Sequence, residues 1–328
     1  MSGSSSVVNY NVRTNKSIER NMMCEFIAQM PSVENYRYIG LGAKYFADFI
    51  LIHKKFNVHD MISLEIEDDE DTVACFEFNK PFDCIDVKHS SVRALLDDVE
   101  FVWNDKQSVV WFDYDGDISE SQIEEVSDCA KKLKSMSLLF VSTSLKKYIR
   151  SSEDKETREI CIKRLNKLKE SVGKGYTSGY DHRDVTRGNI CRTVADIFGR
   201  AVEHKINNYN MTITRADEEL SARQIALFKY SDSTAMITIG WIIYSKKDEY
   251  MVKGLRLDRF PFYVPAGNKE YDINVPIFSY KELAVLNRHM PSAPAVIPEA
   301  KFLKNEEIES YKRVYRYYPT TIETGLVL

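Results

Sequence analysis

The chain has 328 residues, of which 44% are apolar, and a formal net charge of −4. An apolar fraction of this size permits a large core and excludes general disorder. The slightly acidic balance excludes the overall basic character that nucleic-acid-binding domains commonly show, although it is compatible with a local basic patch.

Two further properties concern the cellular compartment. The six cysteines stand far apart without a C-x-x-C pair, which argues against a zinc site and a disulfide framework and favours a reducing cytoplasm. No apolar run approaches the roughly 18 residues that a membrane-spanning helix needs, and the N-terminal segment lacks the pattern of a signal peptide. We therefore expect a cytoplasmic protein without a membrane partner.

The chain is expected to open with a flexible start, residues 1–10, and a helix from Asn11 to Met30. The charged part of this helix contains Lys16 and Arg20. One interpretation is a solvated helix face. The other is that both cations reach a ligand carboxylate or a substrate phosphate.

The next stretch predicts a βαβ unit of about 30 residues. Its parts are a strand (Tyr36–Ile39), a glycine turn (Gly40-Leu41-Gly42), a helix (Ala43–Phe56) and a second strand (Met61–Leu64) that closes on Glu65.

The chemistry of this unit depends on the glycines and on Glu65, which stands 23 positions beyond Gly42. A carboxylate at about that spacing accepts hydrogen bonds from both hydroxyls of a ribose. Tyr45 occupies the third glycine position of G-x-G-x-x-G, so close approach of a pyrophosphate is disfavoured and NAD is not expected. S-adenosylmethionine, which has no phosphate, suits the turn better. The alternative is a glycine turn that binds no ligand.

A second motif follows a buried strand. Phe82–Val87 is a third predicted strand, and the apolar run Ser108–Phe112 is a fourth that passes directly into the turn Asp113-Tyr114-Asp115-Gly116. Ligands of open α/β sheets lie at the carboxyl ends of strands, near the point where the strand order reverses. Both the glycine turn and the acidic turn are expected at that edge.

The remaining elements complete the predicted fold. A fifth strand (Leu138–Val141) and a β-hairpin (Gln224–Tyr230 and Ala235–Tyr244) predict an α/β protein, with a Rossmann-like doubly wound sheet that is mostly parallel and ends in an antiparallel hairpin. We expect a domain over residues 11–250. Residues 251–328 form a C-terminal extension with two helices, a possible substrate or partner region.

The tail of that extension combines aromatic and basic residues. Tyrosines and cations alternate there, namely Tyr311, Lys312, Arg313, Tyr315, Arg316, Tyr317 and Tyr318. Such a segment can stack on bases and bind phosphates, so a nucleic-acid partner is one interpretation. A lid or a protein-binding surface is the alternative.

The order of elements, the GLG turn, Glu65 and the hairpin resemble the class I S-adenosylmethionine-dependent methyltransferases. The phrases YIGLGAKYFADF and MISLE are similar to bacterial O-methyltransferase-like proteins. The resemblance covers about residues 11–250. It implies that Gly40, Leu41 and Gly42 form the first cofactor motif and that Glu65 is the ribose acid.

The resemblance also assigns the later strand ends. It implies that the turn from Asp86 to Ser90 lies by the adenine and that Asp113–Asp115 is the motif after the fourth strand. Two features depart from the family pattern: Tyr38-Ile39 stands where an acid usually precedes the glycines, and the third glycine is absent.

Methyl transfer needs a positioned acceptor and often a base. Asp113 or Asp115 is the candidate base, His89 is a second candidate, and no metal ligand set is predicted. The alternative for the two aspartates is a helix cap and a solvated turn.

Three functions remain open at this stage. The first is a methyltransferase whose acceptor, a small molecule, nucleic acid or protein, is unidentified. The second is a catalytically degenerate member of the fold that acts as a binding or regulatory partner in a bacterial complex. The third is another nucleotide-using enzyme, against which the missing third glycine argues.

Overall fold

A computed structural model describes residues 13–42, 44–67, 69–149 and 156–319. The predicted flexible start, residues 1–10, lies outside the described residues. One sheet of eight strands, ordered β3-β2-β1-β4-β5-β7-β6-β8, forms the centre of the molecule. The strands are β1 Arg37–Gly40, β2 Asp60–Glu65, β3 Ile85–His89, β4 Ser108–Asp117, β5 Ser137–Ser144, β6 Leu220–Ser231, β7 Ala235–Ser245 and β8 Tyr271–Ile273.

The directions of these strands confirm the predicted fold class. Strands β1 to β5 pair in parallel, whereas β7 is antiparallel to both of its neighbours, β5 and β6. The β6–β7 hairpin was predicted from sequence. The short strand β8, which pairs in parallel with β6, was not predicted from the sequence. The strand order reverses between β1 and β4, so the carboxyl ends of these two strands border the crevice of a doubly wound sheet.

Helices cover both faces of the sheet. The helices are α1 Thr14–Ile27, α2 Ala47–Phe56, α3 Glu70–Asn79, α4 Val92–Asp97, α5 Glu120–Lys132, α6 Arg158–Val172, α7 Ile190–Asn210, α8 Glu249–Gly254, α9 Tyr280–His289 and α10 Asn305–Val314. Because successive side chains of a strand point to opposite faces, Tyr38 joins the core beneath α1, α2, α9 and α10, and Ile39 joins the core beneath α4 to α7.

Helix α1 is fixed to the sheet along its length and at its N-terminus. Its apolar side chains, including Ile18 and Met22, are fully buried. At its N-terminus the backbone amides of Asn15 and Lys16 donate to the Asp232 carboxylate at 2.9 and 3.0 Å. Asp232 lies in the hairpin turn, and it satisfies amides that have no partner within the helix. This contact joins the N-terminus of α1 to the β6–β7 turn.

The acidic motif after the fourth strand differs from the sequence prediction. Instead of a turn, residues 113–116 continue β4 to Asp117, with a register shift against β5 between Asp113 and Asp117. Two contacts from β5 hold this bulged segment: Thr143 Oγ1 donates to the Gly116 carbonyl at 3.0 Å, and Ser144 Oγ donates to Asp117 Oδ1 at 3.1 Å. The prediction of a turn was therefore wrong, because pairing with β5 extends the strand.

The C-terminal extension packs against the same core as α1. The centre of the Phe262 ring lies 5.2 Å from that of Phe26 and 5.5 Å from that of Tyr317. Tyr311 and Tyr317 are buried, so these two rings of the basic and aromatic tail are not available for base stacking. The division into two domains at about residue 250 stays a prediction, as does a nucleic-acid partner. Within the described part of the chain, no helix is both long and apolar enough to span a membrane.

Candidate active site

A cavity of about 260 Å³ lies at the carboxyl edge of the sheet, where β1, β2, β3 and β4 end. It brings together residues from all the motifs that the sequence indicated. The predicted site residues that line it are Leu41, Gly42, Glu65, Ser90, Asp113 and Asp115. Gly40 and Asp86 do not line it. The position agrees with the general location of ligands in open α/β sheets.

The glycine turn and the acid after β2 are joined through one buried hydroxyl. The Gly42 amide donates to Ser63 Oγ at 3.0 Å, and Ser63 Oγ donates to Glu65 Oε1 at 2.8 Å. A Cβ atom on Gly42 would lie 2.5 Å from Ser63 Oγ and 2.7 Å from Phe46 Cδ1, closer than real Cβ contacts. Glycine is required at position 42 because the turn passes directly over these two side chains.

Gly40, predicted as part of the cofactor motif, lies against a buried pair of side chains. A Cβ atom there would lie 3.0 Å from the Tyr38 hydroxyl and 3.1 Å from Asp48 Oδ2. Tyr38 donates a short hydrogen bond to Asp48 Oδ2 in the interior. Gly40 therefore makes room for this buried pair.

Helix α2 starts later than the sequence predicted, at Ala47. Phe46 precedes it in the left-handed region, with a φ of 45°, and its side chain is fully buried against Phe49. A non-glycine residue in this conformation is strained, and the buried ring is what holds it there. Tyr45, which occupies the third glycine position, lines the cavity.

The second and third strand ends form another wall. Glu65 is the last residue of β2 and is buried, whereas its neighbour Ile66 is 76% exposed at the rim. Ser91 caps α4 by accepting from the Ala94 amide at 3.1 Å, and it lines the cavity beside Ser90.

Two residues predicted near this wall lie elsewhere. Asp86 stands within β3, opposite Ile62, and forms an exposed ion pair with Lys88 at 3.7 Å. His89 ends β3, with its Nδ1 atom 3.4 Å from the Glu67 carbonyl, and is not part of the lining.

Asp113 is held by a buried lysine. Lys16 Nζ lies 2.9 Å from Asp113 Oδ1, 3.0 Å from Glu19 Oε2 and 2.8 Å from the Tyr230 hydroxyl. Burial by itself lowers the pKa of Lys16, but the Asp113 and Glu19 carboxylates outweigh burial and the pKa is raised, so the ammonium stays charged. Burial raises the pKa of Glu19. Lys16 therefore neutralises carboxylates inside the protein.

Arg20, the second cation singled out in α1, does line the cavity. It is 8% exposed, and its Nε has no hydrogen-bond acceptor among the described residues. The guanidinium carbon lies 5.9 Å from the centre of the Trp111 ring. Of the two interpretations of this helix face, the structure excludes solvation for both Lys16 and Arg20.

Sequence reasoning missed two acidic lining residues, Asp48 and Glu125. Asp48 stands in the first turn of α2, where an acid commonly serves the helix alone, so no local signal marks it. The Tyr114 hydroxyl donates to Glu125 Oε2 at 2.5 Å, and this pair joins β4 to α5. Burial raises the pKa of both Tyr114 and Glu125.

The charge of the cavity is strongly one-sided. Of the described residues that line it, six are acidic and one, Arg20, is basic; the acids are Asp48, Glu65, Glu67, Asp113, Asp115 and Glu125. Such a lining favours a ligand that is positively charged or contains a cationic centre.

Residues that could hold a metal ion lie far from the cavity in the fold. Among the described residues, His53, His59 and Cys84 offer ligand atoms within 4.8 Å of one another. His59 and Cys84 stand just before β2 and β3, at the amino edge of the sheet. The group has no part in the chemistry of the cavity at the opposite edge.

A protein-family model matches residues 8–325, and its description is "Putative O-methyltransferase". The match spans almost the whole chain and confirms the resemblance drawn from the motifs. No protein with a curated functional description matches the chain.

Several solved structures are similar at low identity. Trm1 from Pyrococcus horikoshii in complex with S-adenosyl-L-methionine has a TM-score of 0.44 and 13% identity, with 76% of this chain and 60% of that chain covered. LepI in complex with SAM has a TM-score of 0.33 and 11% identity, with 64% and 43% covered. An O-methyltransferase-like protein from Klebsiella pneumoniae has a TM-score of 0.37 and 9% identity, with 73% and 84% covered. The chain thus spans less than two thirds of the first two, and similarities this low say nothing of its ligand or acceptor.

Proposed function

We propose, from the premise that this chain belongs to the family described as "Putative O-methyltransferase", that it transfers a methyl group from S-adenosylmethionine to an acceptor that is not yet identified. The observation that supports this most is the hydrogen-bonded series Gly42, Ser63 and Glu65 at the edge of the cavity. It joins a glycine turn to a ribose-type acid at the switch point of a doubly wound sheet.

The cofactor fits the chemistry of the lining. In this proposal Glu65 accepts hydrogen bonds from the ribose hydroxyls, and the bare backbone at Gly42 permits close approach of the ligand. Ile66 supplies an exposed apolar side chain, and Ser90 supplies a polar one, on the side proposed for the adenine. The surplus of acidic residues suits a sulfonium cation.

The chain's own residues would do two things in the reaction. The bound cofactor supplies an electrophilic methyl group, so the protein has to position the acceptor in line with it and to accept a proton from a hydroxyl acceptor. Asp113 is neutralised by Lys16 and is better suited to positioning. Asp115 is exposed on the bulged part of β4, at the cavity, and is the better candidate for the base.

The acceptor is a small molecule, a nucleic acid or a protein, and no described feature favours one of these. A screen of acceptor classes with radiolabelled S-adenosylmethionine addresses this. Once an acceptor is known, Asp115→Asn should reduce kcat strongly and leave cofactor affinity unchanged. Unchanged turnover in that variant would exclude Asp115 as the base.

The first test of the proposal is calorimetric titration with S-adenosylmethionine and S-adenosylhomocysteine. We expect micromolar binding to the wild-type protein and none to Glu65→Ala. Asp86→Ala is the matched control, because it removes a carboxylate from the neighbouring strand at a position outside the cavity. Absence of binding to a folded wild-type protein would contradict the proposal and favour a member of the fold that serves only as a binding partner.

A further inference from the structure

Two histidines and a cysteine come together at the amino edge of the sheet, opposite the cavity. His53 stands in the last turn of α2, His59 lies just before β2, and Cys84 lies just before β3. These three side chains each offer one ligand atom, and the three atoms lie within 4.8 Å of one another. None of the three residues lines the cavity, so the proposed function gives this group no role.

The packing of the sheet brings the three side chains together. Strands β2 and β3 are parallel neighbours, with Met61 opposite Ile85, so the segments that precede them also run side by side. Helix α2 ends above these segments, because Asn57 closes it in the left-handed conformation and the chain then turns into β2. Cys84 is partly buried and packs against the core beneath α2. The three residues belong to three separate segments, which is why no Cys or His spacing in the sequence marks them.

The separations match those of ligands that share one zinc ion. Zinc lies about 2.3 Å from a thiolate sulfur and about 2.0–2.1 Å from an imidazole nitrogen, so a sulfur and a nitrogen on one tetrahedral ion are about 3.6 Å apart. Cys84 Sγ lies 3.7 Å from His53 Nδ1. The Phe82 ring, whose centre lies 4.2 Å from that of His53, packs against this imidazole. His59 is exposed, so its ring can approach the other two ligands without displacing core side chains.

Oxygen atoms already orient both imidazole rings. His59 Nε2 lies 3.0 Å from Asn57 Oδ1, and His53 Nδ1 lies 2.9 Å from the Val58 carbonyl oxygen. A ring N–H that donates to such an oxygen fixes a metal-binding histidine and leaves its other nitrogen unprotonated. For His59 this nitrogen is Nδ1. At His53 the carbonyl and the Cys84 sulfur approach the same nitrogen, so an ion bound there replaces the proton that Val58 accepts.

We propose that His53, His59 and Cys84 bind one zinc ion at the amino edge of the sheet. Two imidazoles and one thiolate are ligand types that zinc prefers, and the group contains no carboxylate, so magnesium and calcium are not expected there. Binding replaces the thiol proton of Cys84, which is released to solvent. Three protein ligands leave a fourth position for water or for the Val58 carbonyl oxygen.

The ion would join the end of α2 to the starts of β2 and β3. The opposite end of the same helix begins with Ala47 and Asp48, which line the cavity. A ligand that binds the folded chain but not the unfolded one stabilises the fold. The site is therefore a structural one, and the expected effect of zinc is a higher melting temperature.

The test is calorimetric titration of the untagged protein with Zn²⁺, after removal of bound metal by a chelator. We expect a single ion per chain with micromolar or tighter affinity, and a melting temperature that rises with the Zn²⁺ concentration. His59→Ala should reduce the affinity by at least about tenfold, since loss of even an outer-shell partner has an effect of that size. Because His59 is exposed, this variant should melt at the wild-type temperature in the absence of zinc.

Cobalt tests the sulfur ligand directly. Co²⁺ bound through a thiolate gives a charge-transfer absorption band, which should be present in the wild-type protein and absent from Cys84→Ser. The matched controls are Cys75→Ser, which removes another partly buried thiol, and His204→Ala, which removes an exposed histidine of α7. Both should bind Zn²⁺ with wild-type affinity. If Cys84→Ser does not fold, the comparison of His59→Ala with His204→Ala decides.

Two results would overturn the proposal. One is a folded wild-type protein that binds no Zn²⁺. The other is an affinity that is the same in wild type, His59→Ala and Cys84→Ser, because the ion would then lie elsewhere. The titrations with S-adenosylmethionine and S-adenosylhomocysteine test the proposed function separately.

Discussion

The Ser63 hydroxyl donates a 2.8 Å hydrogen bond to Glu65, two residues further along the same strand. Both side chains lie on the same face of β2, as residues i and i+2 of a strand must. The hydroxyl also accepts from the Gly42 amide at 3.0 Å, so one buried oxygen determines both the path of the glycine turn and the orientation of the carboxylate. Ser63 is fully buried, so its hydroxyl does not form hydrogen bonds with solvent water.

Ser63→Ala should weaken cofactor binding. Loss of a buried hydrogen bond of this kind costs about 1 kcal/mol, which corresponds to roughly fivefold in affinity. Calorimetric titration with S-adenosylhomocysteine measures the change. Ser137→Ala is the control, since it removes another fully buried hydroxyl, which accepts from the Ser108 amide at the opposite edge of the sheet. Equal loss of affinity in both variants would mean that the effect comes from general destabilisation.

Gly42→Ala should abolish measurable binding while leaving the fold intact. The new Cβ would lie 2.5 Å from Ser63 Oγ and would push the hydroxyl away from both Gly42 and Glu65. Gly199→Ala is the matched control because a Cβ there meets nothing within 4 Å in the middle of α7. Alanine is the better helix former by about 1 kcal/mol, so this variant should bind normally and melt at the same or a higher temperature.

Lys16→Met should destabilise the protein strongly. Removal of the ammonium leaves the Asp113 and Glu19 carboxylates without their buried counter-charge, which typically costs about 3–5 kcal/mol in unfolding free energy. Urea unfolding measures this. The double variant Lys16→Met with Glu19→Gln should regain part of the loss, because one uncompensated charge is then absent. Strictly additive effects of the two substitutions would contradict the proposed coupling.

The lowered pKa of Asp128 implies that the stability of the protein depends on pH. Burial would raise its pKa, but hydrogen bonds from Lys131, Lys205 and Arg93 outweigh burial and lower the pKa below the usual range. A carboxyl group whose pKa is lower in the folded state contributes stability above its unfolded pKa of about 3.9 and loses that contribution as the pH falls through the folded value.

Asp128→Asn should therefore melt at a lower temperature than wild type at pH 7, and the difference should shrink steadily below about pH 4. Thermal melts from pH 7 to pH 2 measure it. Asp86→Asn removes a carboxylate from a single exposed pair with Lys88 and should show almost no difference at any of these pH values. A difference for Asp128→Asn that is the same at pH 7 and at pH 2 would contradict the prediction.

Features encoded by nearby residues were predictable from the sequence. The glycine turn followed by helix and strand, the fourth strand and the β6–β7 hairpin all have local signals in the spacing of apolar residues and the type of turn residue. Leu41, Gly42, Glu65, Ser90, Asp113 and Asp115 were placed at one edge correctly because parallel strands share the direction of their carboxyl ends.

Features that depend on contacts between distant segments of the chain were not predictable from the sequence. The acidic motif continues as a strand because β5 lies beside it, and Asp86 lies outside the cavity because it stands in the middle of β3. Strand ends could be estimated only approximately, and an error of two or three residues moves a side chain away from the edge.

The sequence by itself determined that this chain forms a doubly wound sheet with a glycine turn and an acid at one edge, since those signals lie within short segments. Only the tertiary structure decided which groups the charged side chains of α1 contact. Lys16 and Arg20 are four residues apart on one helix, yet one neutralises Asp113 inside the protein and the other faces the cavity. Their surroundings come from β4, β6 and α2, and the burial and charge that distinguish the two cations exist only after those elements have packed together.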